Sequence, residues 1–144
     1  MLPMYFTITL SYWALDDTST SGRMKKCQNT IACSAENYTD AEAIATKWGS
    51  INIEEEFHIS PIKELNISFV QQKDNKKGLW FLCSGVWLEV DDIRNKVKEN
   101  KIQYLIQADD STEASLIMNE LLKNDFLEET RVVDVKETKI EEYV

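Results

Sequence analysis

The sequence has few of the residues on which catalytic and metal sites are usually built. It contains one histidine, three cysteines, four glycines and two prolines among 144 residues. Any nucleophile paired with a histidine would have to use His58, which we place on the polar face of a strand. The cysteines form no CxxC pair and the glycines stand alone, which argues against a zinc motif or a phosphate loop. We therefore expect no catalytic residue, no metal and no cofactor.

The sequence also lacks a long apolar run. The first fifteen residues are apolar, but no basic stretch precedes them, no small-residue cleavage site follows them, and they are too few for a membrane-spanning helix. We expect neither a signal peptide nor a membrane protein. The simplest interpretation of Cys27, Cys33 and Cys83 is free thiols, so we expect a cytoplasmic protein.

Positive charge is scarce, since 16 basic residues face 25 acidic ones and the net charge is −9. This excess opposes non-specific binding to DNA or to an anionic membrane, which both attract positive surfaces. Hydrophobic residues make up 43% of the chain, enough for a folded core. The composition therefore predicts a folded globular protein rather than a disordered one.

The second half of the chain repeats landmarks of the first at an offset of about 73 residues. The aromatic pair Tyr5, Phe6 is matched by Trp80, Phe81, and Ile62 with its neighbours is matched by Val135 with its neighbours. Apolar and polar residues alternate after each aromatic pair, which is typical of a half-buried strand. Each half then has the pattern strand, strand, helix, strand.

The sequence therefore predicts an α+β fold of two tandem ββαβ repeats. We expect the first repeat at residues 1–70, a polar linker at 71–78 and the second repeat at 79–144. One half with a single helix would bury little surface. For that reason we expect one compact unit with one core, in which two helices pack on an antiparallel sheet.

Helix boundaries are predicted from capping signals. Thr39 with Glu42 forms a capping box at the start of the first helix, and Gly49 is expected to end it. Asp110 with Glu113 predicts the start of the second helix. Pro61 marks a bend or an edge strand in the closing segment of the first half.

Short blocks in the order of a known pattern extend from about Tyr5 to Ile140. They are Tyr5 and Phe6 with the alternation that follows, Lys25 and Lys26, YTDAEA at 38–43, EFHISPIKELN at 56–66, WFLC at 80–83, LIQA at 105–108 and KETKI at 136–140. Together they resemble an uncharacterised domain family of gut Bacteroidetes and of their phages and mobile elements. The stretch 7–9 departs from that pattern because it lacks the cysteine seen at Cys83. The resemblance implies a source and a domain identity but no mechanism.

If the protein is an enzyme, its catalytic groups are expected to be carboxylates. Glu89, Asp91 and Asp92 cluster after an apolar strand, so a hydrolase with a carboxylate site remains a third hypothesis. Because aspartates readily bond nearby backbone in turns, a structural role explains these acids equally well. The acidic run at 54–56 has the composition of a solvated turn.

Two predicted hairpin loops carry most of the candidate binding residues. They are Arg23, Lys25 and Lys26 in the first hairpin, Arg94, Lys96, Lys98 and Lys101 in the second, and the neighbouring Trp13 and Trp87. Such clusters would suit phosphates or an acidic partner, and the tryptophans would suit bases or a protein interface. We expect a non-enzymatic binding or assembly protein, an accessory of a phage or mobile element that acts through contacts with a protein partner or with itself. The alternative is a nucleic-acid-binding module that uses both basic loops.

Overall fold

The fold is described from a computed structural model over residues 3–18 and 21–144. Ser19 and Thr20, in the predicted loop between Asp16 and Lys26, lie outside the described residues, as do the first two residues of the predicted first repeat. Over the described residues the chain forms eight strands and two helices. They are β1 (Met4–Leu15), β2 (Met24–Ala35), α1 (Tyr38–Asn52), β3 (Phe57–Leu65), β4 (Phe69–Gln71), β5 (Leu79–Asp91), β6 (Lys96–Ala108), α2 (Ser111–Asp125), β7 (Thr130–Glu137) and β8 (Ile140–Tyr143).

The α+β class is confirmed, but the single antiparallel sheet is wrong. The described residues form two four-stranded sheets in two compact units. The first unit takes in the described residues up to Leu65 together with Ile140–Val144, and the second takes in Asn66–Lys139. Each unit has its own hydrophobic cluster, where the sequence suggested one shared core.

The two sheets have the same arrangement of strands. The order is β3-β1-β2-β8 in the first unit and β7-β5-β6-β4 in the second. The three long strands of each sheet are antiparallel, whereas β8 runs parallel to β2 and β4 runs parallel to β6. The short strand that ends each half of the chain therefore completes the sheet that contains the other half's hairpin. This exchange explains why the boundaries of the units fall at residues 65 and 139 rather than in the predicted linker.

In the first unit, α1 covers one face of the sheet. The alternation predicted for β1 is present, because Phe6, Ile8 and Leu10 are fully buried toward α1 while the residues between them are half-buried. Pro61 lies in the edge strand β3, beside an irregularity in its pairing with β1, as the sequence indicated. Edge strands tolerate proline because one side of such a strand forms no ladder hydrogen bonds.

The start and the end of α1 differ from the prediction. The cap is Asn37, whose side-chain oxygen accepts a hydrogen bond from the Asp40 N–H at 2.8 Å, so the capping box at Thr39 is wrong. Gly49 does not end the helix, which continues to Asn52. A Cβ atom at Gly49 would lie 2.5 Å from Phe57 Cζ and 2.8 Å from Leu10 Cδ2. The glycine is therefore needed for close packing of α1 on the sheet rather than for termination.

In the second unit, the predicted cap of α2 is confirmed, since Asp110 accepts from the Glu113 N–H at 2.8 Å. The helix buries Ala114, Met118 and Leu122 against the sheet. In this unit the glycine that allows the helix to pack closely on the sheet lies in strand β5 rather than in the helix. A Cβ atom at Gly85 would lie 2.8 Å from Leu122 Cδ1.

The three cysteines differ in exposure, and we expect them to differ in reactivity. Cys33 and Cys83 are fully buried, whereas Cys27 is partly exposed. Burial raises the pKa of both buried thiols, that of Cys83 to about 12 with a further contribution from Asp134. Because the thiolate is the reactive form, one thiol per chain should react quickly with dithionitrobenzoate in the native protein and all three after unfolding. Cys27→Ser should remove the fast reaction, and three fast thiols in the native protein would contradict this assignment.

Within residues 3–18 and 21–144, no helix is long and apolar enough to cross a membrane.

Candidate functional site

The basic residues of the first hairpin lie on its exposed end but do not share one face. Arg23 precedes β2, and Lys25 and Lys26 are consecutive residues within it. Because neighbouring residues of a strand point to opposite faces, Lys25 lies on the side of α1 and Lys26 on the other side. All three are exposed. Trp13 lies directly across from Lys26 in the β1–β2 pairing.

The second hairpin is electrically balanced. Residues 86–101 contain four basic and four acidic residues. In the strand pairing, Lys96 lies opposite Asp91 and Lys98 lies opposite Glu89. Cross-strand neighbours of opposite charge attract one another, so the acids offset the positive field of the two lysines.

Two further contacts strengthen this balance. Arg94 lies 3.8 Å from Asp91 in the turn, and Arg131 of β7 forms a salt bridge of 3.0 Å with Glu99. Lys101 lies on the sheet face opposite to that of Lys96 and Lys98. The structure therefore does not gather the four basic residues of this hairpin into one positive patch.

The two candidate tryptophans have different environments. Trp87 lies on the α2 side of its sheet, and its ring stacks on Phe126 with 5.4 Å between ring centroids. Trp13 lies on the face away from α1 and is 57% exposed. Trp87 is thus partly committed to packing within its own unit, whereas Trp13 is available to a partner.

Apart from Trp13, the exposed apolar side chains at the hairpin ends are a feature that the sequence analysis missed. In the first hairpin, Trp13, Leu15 and Met24 lie on one face and are each 52–62% exposed. In the second, Val90 and Val97 lie directly opposite one another and are each 62% exposed. We call these two sets, with the turn residue Ile93, the apolar hairpin ends. The period-two pattern places such residues on one face, but only the strand register shows that nothing in their own unit covers them.

The aspartates at the starts of the two turns bond the backbone. Asp16 accepts from the Thr18 N–H and from its hydroxyl, at 3.0 and 2.6 Å, and these bonds lower its pKa. Asp91 accepts from the N–H groups of Ile93 and Arg94, at 3.1 and 3.2 Å. The turn role predicted for these acids is confirmed, so Asp91 of the suggested hydrolase site already serves a structural purpose.

His58 and the acidic run at 54–56 are exposed on β3 and just before it. Across from His58 in β1 lies Ser11. Among the described residues, no three His, Cys, Asp or Glu side chains are grouped so that they could hold a metal ion.

Comparison with known proteins yields one finding. A family model described as a domain of unknown function matches residues 4–144, which agrees with the resemblance to an uncharacterised family. No curated protein and no solved structure matches the chain.

Proposed function

We propose that this chain, which belongs to the DUF4494 family of domains of unknown function, is a non-enzymatic binding or assembly protein that acts through protein–protein contacts. The observation that carries the proposal is the exposure of the apolar hairpin ends. Solvent-exposed clusters of large apolar side chains on a folded protein mark interaction surfaces. Trp13 and Met24 also belong to the residue types enriched in the centres of protein interfaces.

Energy and charge both favour a protein partner. Full burial of a side chain such as Leu15 or Met24 contributes about 1.5–3 kcal/mol. A pair of such residues on one hairpin therefore supports association with a protein partner. The net charge of −9 opposes a polyanionic partner but not a protein surface.

A second copy of this chain is the first partner to test. We expect the wild-type protein to sediment with a mass greater than that of one chain, and Trp13→Ser combined with Leu15→Ser to shift it toward the monomer. Leu127→Ser is the matched control, because Leu127 is fully exposed outside both hairpins. The control should assemble as the wild type does. A wild-type protein that stays monomeric at high concentration, or a control that dissociates equally, would contradict assembly through the hairpin ends.

The alternative, a nucleic-acid-binding module, is favoured by the first hairpin alone. Arg23, Lys25 and Lys26 are exposed and form no ion pair with the rest of the described chain. If the alternative holds, Lys25→Glu with Lys98→Glu abolishes a mobility shift of single-stranded or duplex nucleic acid at low salt. Lys123→Glu is the control, because Lys123 is an exposed residue of α2 outside both hairpins, and it should leave that shift intact.

We also infer that the two ββαβ halves arose by duplication within one gene. Support comes from the helices, which both have 15 residues and begin at Tyr38 and Ser111, an offset of 73. The caps Asn37 and Asp110 have the same offset and the same geometry. A family member whose two halves align with each other at higher identity would support this history.

The biological setting is proposed on the resemblance described above. We infer a phage or mobile-element accessory protein that acts in the cytoplasm of a bacterial host. The three free cysteines are consistent with a reducing compartment. The genes next to this one provide the direct test.

A further inference from the structure

The outer side of β7 is an open edge of the second sheet. Among the described strands, β7 forms a ladder with β5 alone. The Thr138 N–H donates to the Trp80 carbonyl, which fixes the direction of the backbone groups in this ladder. Because these groups alternate along an antiparallel ladder, Lys136 and Asp134 also bond β5, while Val135 directs its N–H and C=O away from the sheet. An added strand can pair with β7 on that side.

The other edges of the two described sheets carry features that hinder strand addition. The edge strands β4 and β8 have only three and four residues, and β3 contains Pro61. Short edge strands and prolines are devices that proteins use against unwanted pairing. In contrast, β7 has eight residues and no proline. Its irregularity in pairing, beside Ser84 and Gly85 of β5, leaves residues 134–137 in regular register.

The exposed charges of β7 are complementary to those of its own copy. Asp134 and Lys136 are exposed, and within the described residues neither takes part in a salt bridge. They share the face away from α2, because Val135 between them packs on the α2 side. In an antiparallel pair of identical strands related by a twofold axis, one residue faces its own copy. When Val135 is that residue, Asp134 faces Lys136 of the second copy on both sides of the axis.

The same charges disfavour the neighbouring registers. An axis at Asp134 would place two aspartates opposite one another, and an axis at Lys136 would place two lysines opposite one another. Like charges directly across a ladder are destabilising. The axis at Val135 also uses the backbone groups that point outward, so its central pair can form both hydrogen bonds. Charge and hydrogen bonding therefore favour the same register.

We propose that β7 pairs antiparallel with β7 of a second copy of this chain, with Val135 facing its own copy. The α2 side of this edge is open, because a groove of about 390 Å³ borders Val135 there. The other residues that line this groove are Ser111, Thr112, Ser115 and Leu116 of α2. The pairing joins two four-stranded sheets into one continuous sheet. It uses none of the apolar hairpin ends and so goes beyond the proposed function.

Charge reversal tests the pairing in a protein whose first hairpin is already altered. The starting protein is the full chain with Trp13→Ser and Leu15→Ser, so that contacts of this hairpin contribute little. We expect it to sediment as a species of two chains. Adding either Asp134→Lys or Lys136→Asp places like charges opposite one another at both positions. Each reversal should weaken association at least about tenfold.

A mixture of the two reversed proteins gives the most specific result. On this face of β7, Asp134→Lys leaves two positive charges and Lys136→Asp leaves two negative charges. Each protein is therefore repelled by its own copy and attracted by the other. We expect an equimolar mixture to regain the mass of two chains, which neither protein has alone. Contacts at the hairpin ends predict no such recovery.

Lys63→Asp in the same starting protein is the matched control. Lys63 is exposed on the edge strand β3, 73 residues before Lys136, and Pro61 has the same offset from Asp134. This reversal should leave association unchanged, and a loss equal to that of Lys136→Asp would contradict the assignment to β7.

Three further results would overturn the pairing. They are a starting protein that is monomeric at high concentration, reversed proteins that associate as the starting protein does, and a mixture of folded reversed proteins that stays monomeric. The outcome for the hairpin ends is separate. An assembled wild type whose starting variant is monomeric would support the hairpin ends and refute the pairing of β7. A wild type that dissociates only on charge reversal would do the opposite.

Discussion

Leu122→Ala is expected to lower the free energy of unfolding by about 2–5 kcal/mol, the cost of a cavity in a close-packed core. Leu122 is fully buried on α2 and packs against the sheet of the second unit. Its Cδ1 occupies the space above Gly85, so the smaller side chain leaves that space empty. Urea unfolding followed by circular dichroism measures the change.

Two companion variants make this measurement specific. Leu116→Ala, on the exposed side of the same helix, should change stability by less than about 0.5 kcal/mol. Gly85→Ala places a methyl carbon only 2.8 Å from Leu122 Cδ1, so alone it should destabilise the protein. In the Leu122→Ala background that clash is absent, so the same change should cost less. Strictly additive effects of the two changes would contradict the contact between these residues.

Gly49→Ala is expected to destabilise the protein by about 1–3 kcal/mol, the usual cost of overpacking. In an exposed helix the same change stabilises by roughly 1 kcal/mol, because glycine has the greater backbone freedom when unfolded. The sign reverses here because the new Cβ would lie 2.5 Å from Phe57 Cζ. Thermal unfolding of the two proteins measures the difference.

The reversal of sign can be traced to one contact. Ser50→Ala, at the next and exposed position of α1, should have a small effect. Phe57→Leu removes the ring atoms nearest to Gly49 and should reduce the penalty of Gly49→Ala. A variant Gly49→Ala that is more stable than the wild type would show that α1 does not approach the sheet so closely.

Local signals predicted much of each half. The alternation in β1 and the cap at Asp110 involve residues that are close in sequence. Residue propensity and spacing were therefore sufficient to predict them. The cap of α1 was missed because Asn37 and Thr39 are each followed three residues later by an acid, Asp40 or Glu42. Nothing in the local pattern distinguishes these two starts.

Long-range pairing was beyond the sequence pattern. Ile140 of β8 pairs with Thr30 of β2, 110 residues away, and Phe69 pairs with Tyr104 in the same parallel manner. The termination assigned to Gly49 failed for a related reason, since its role depends on Phe57 and Leu10 across the sheet. A glycine in a helix gives the same local signal whether it ends the helix or allows close packing.

For the candidate binding residues too, the local sequence predicted the element, whereas the contacts between strands could not be predicted. The candidate basic residues belong to the two hairpins, but five of the seven lie within strands β2 and β6 rather than in the predicted loops. The acids that offset Lys96 and Lys98 depend on the strand register.

The contacts at the two glycines make each helix complementary in shape to its own sheet. In the first unit the strand carries the large residue, Leu10, and the helix carries Gly49, whereas in the second unit the strand carries Gly85 and the helix carries Leu122. If α2 docked on the wrong sheet during folding, two leucines would collide, and α1 on the other sheet would leave a void between two glycines. The size complementarity is therefore inverted between the two units, and this inversion favours the packing of each helix on its own sheet.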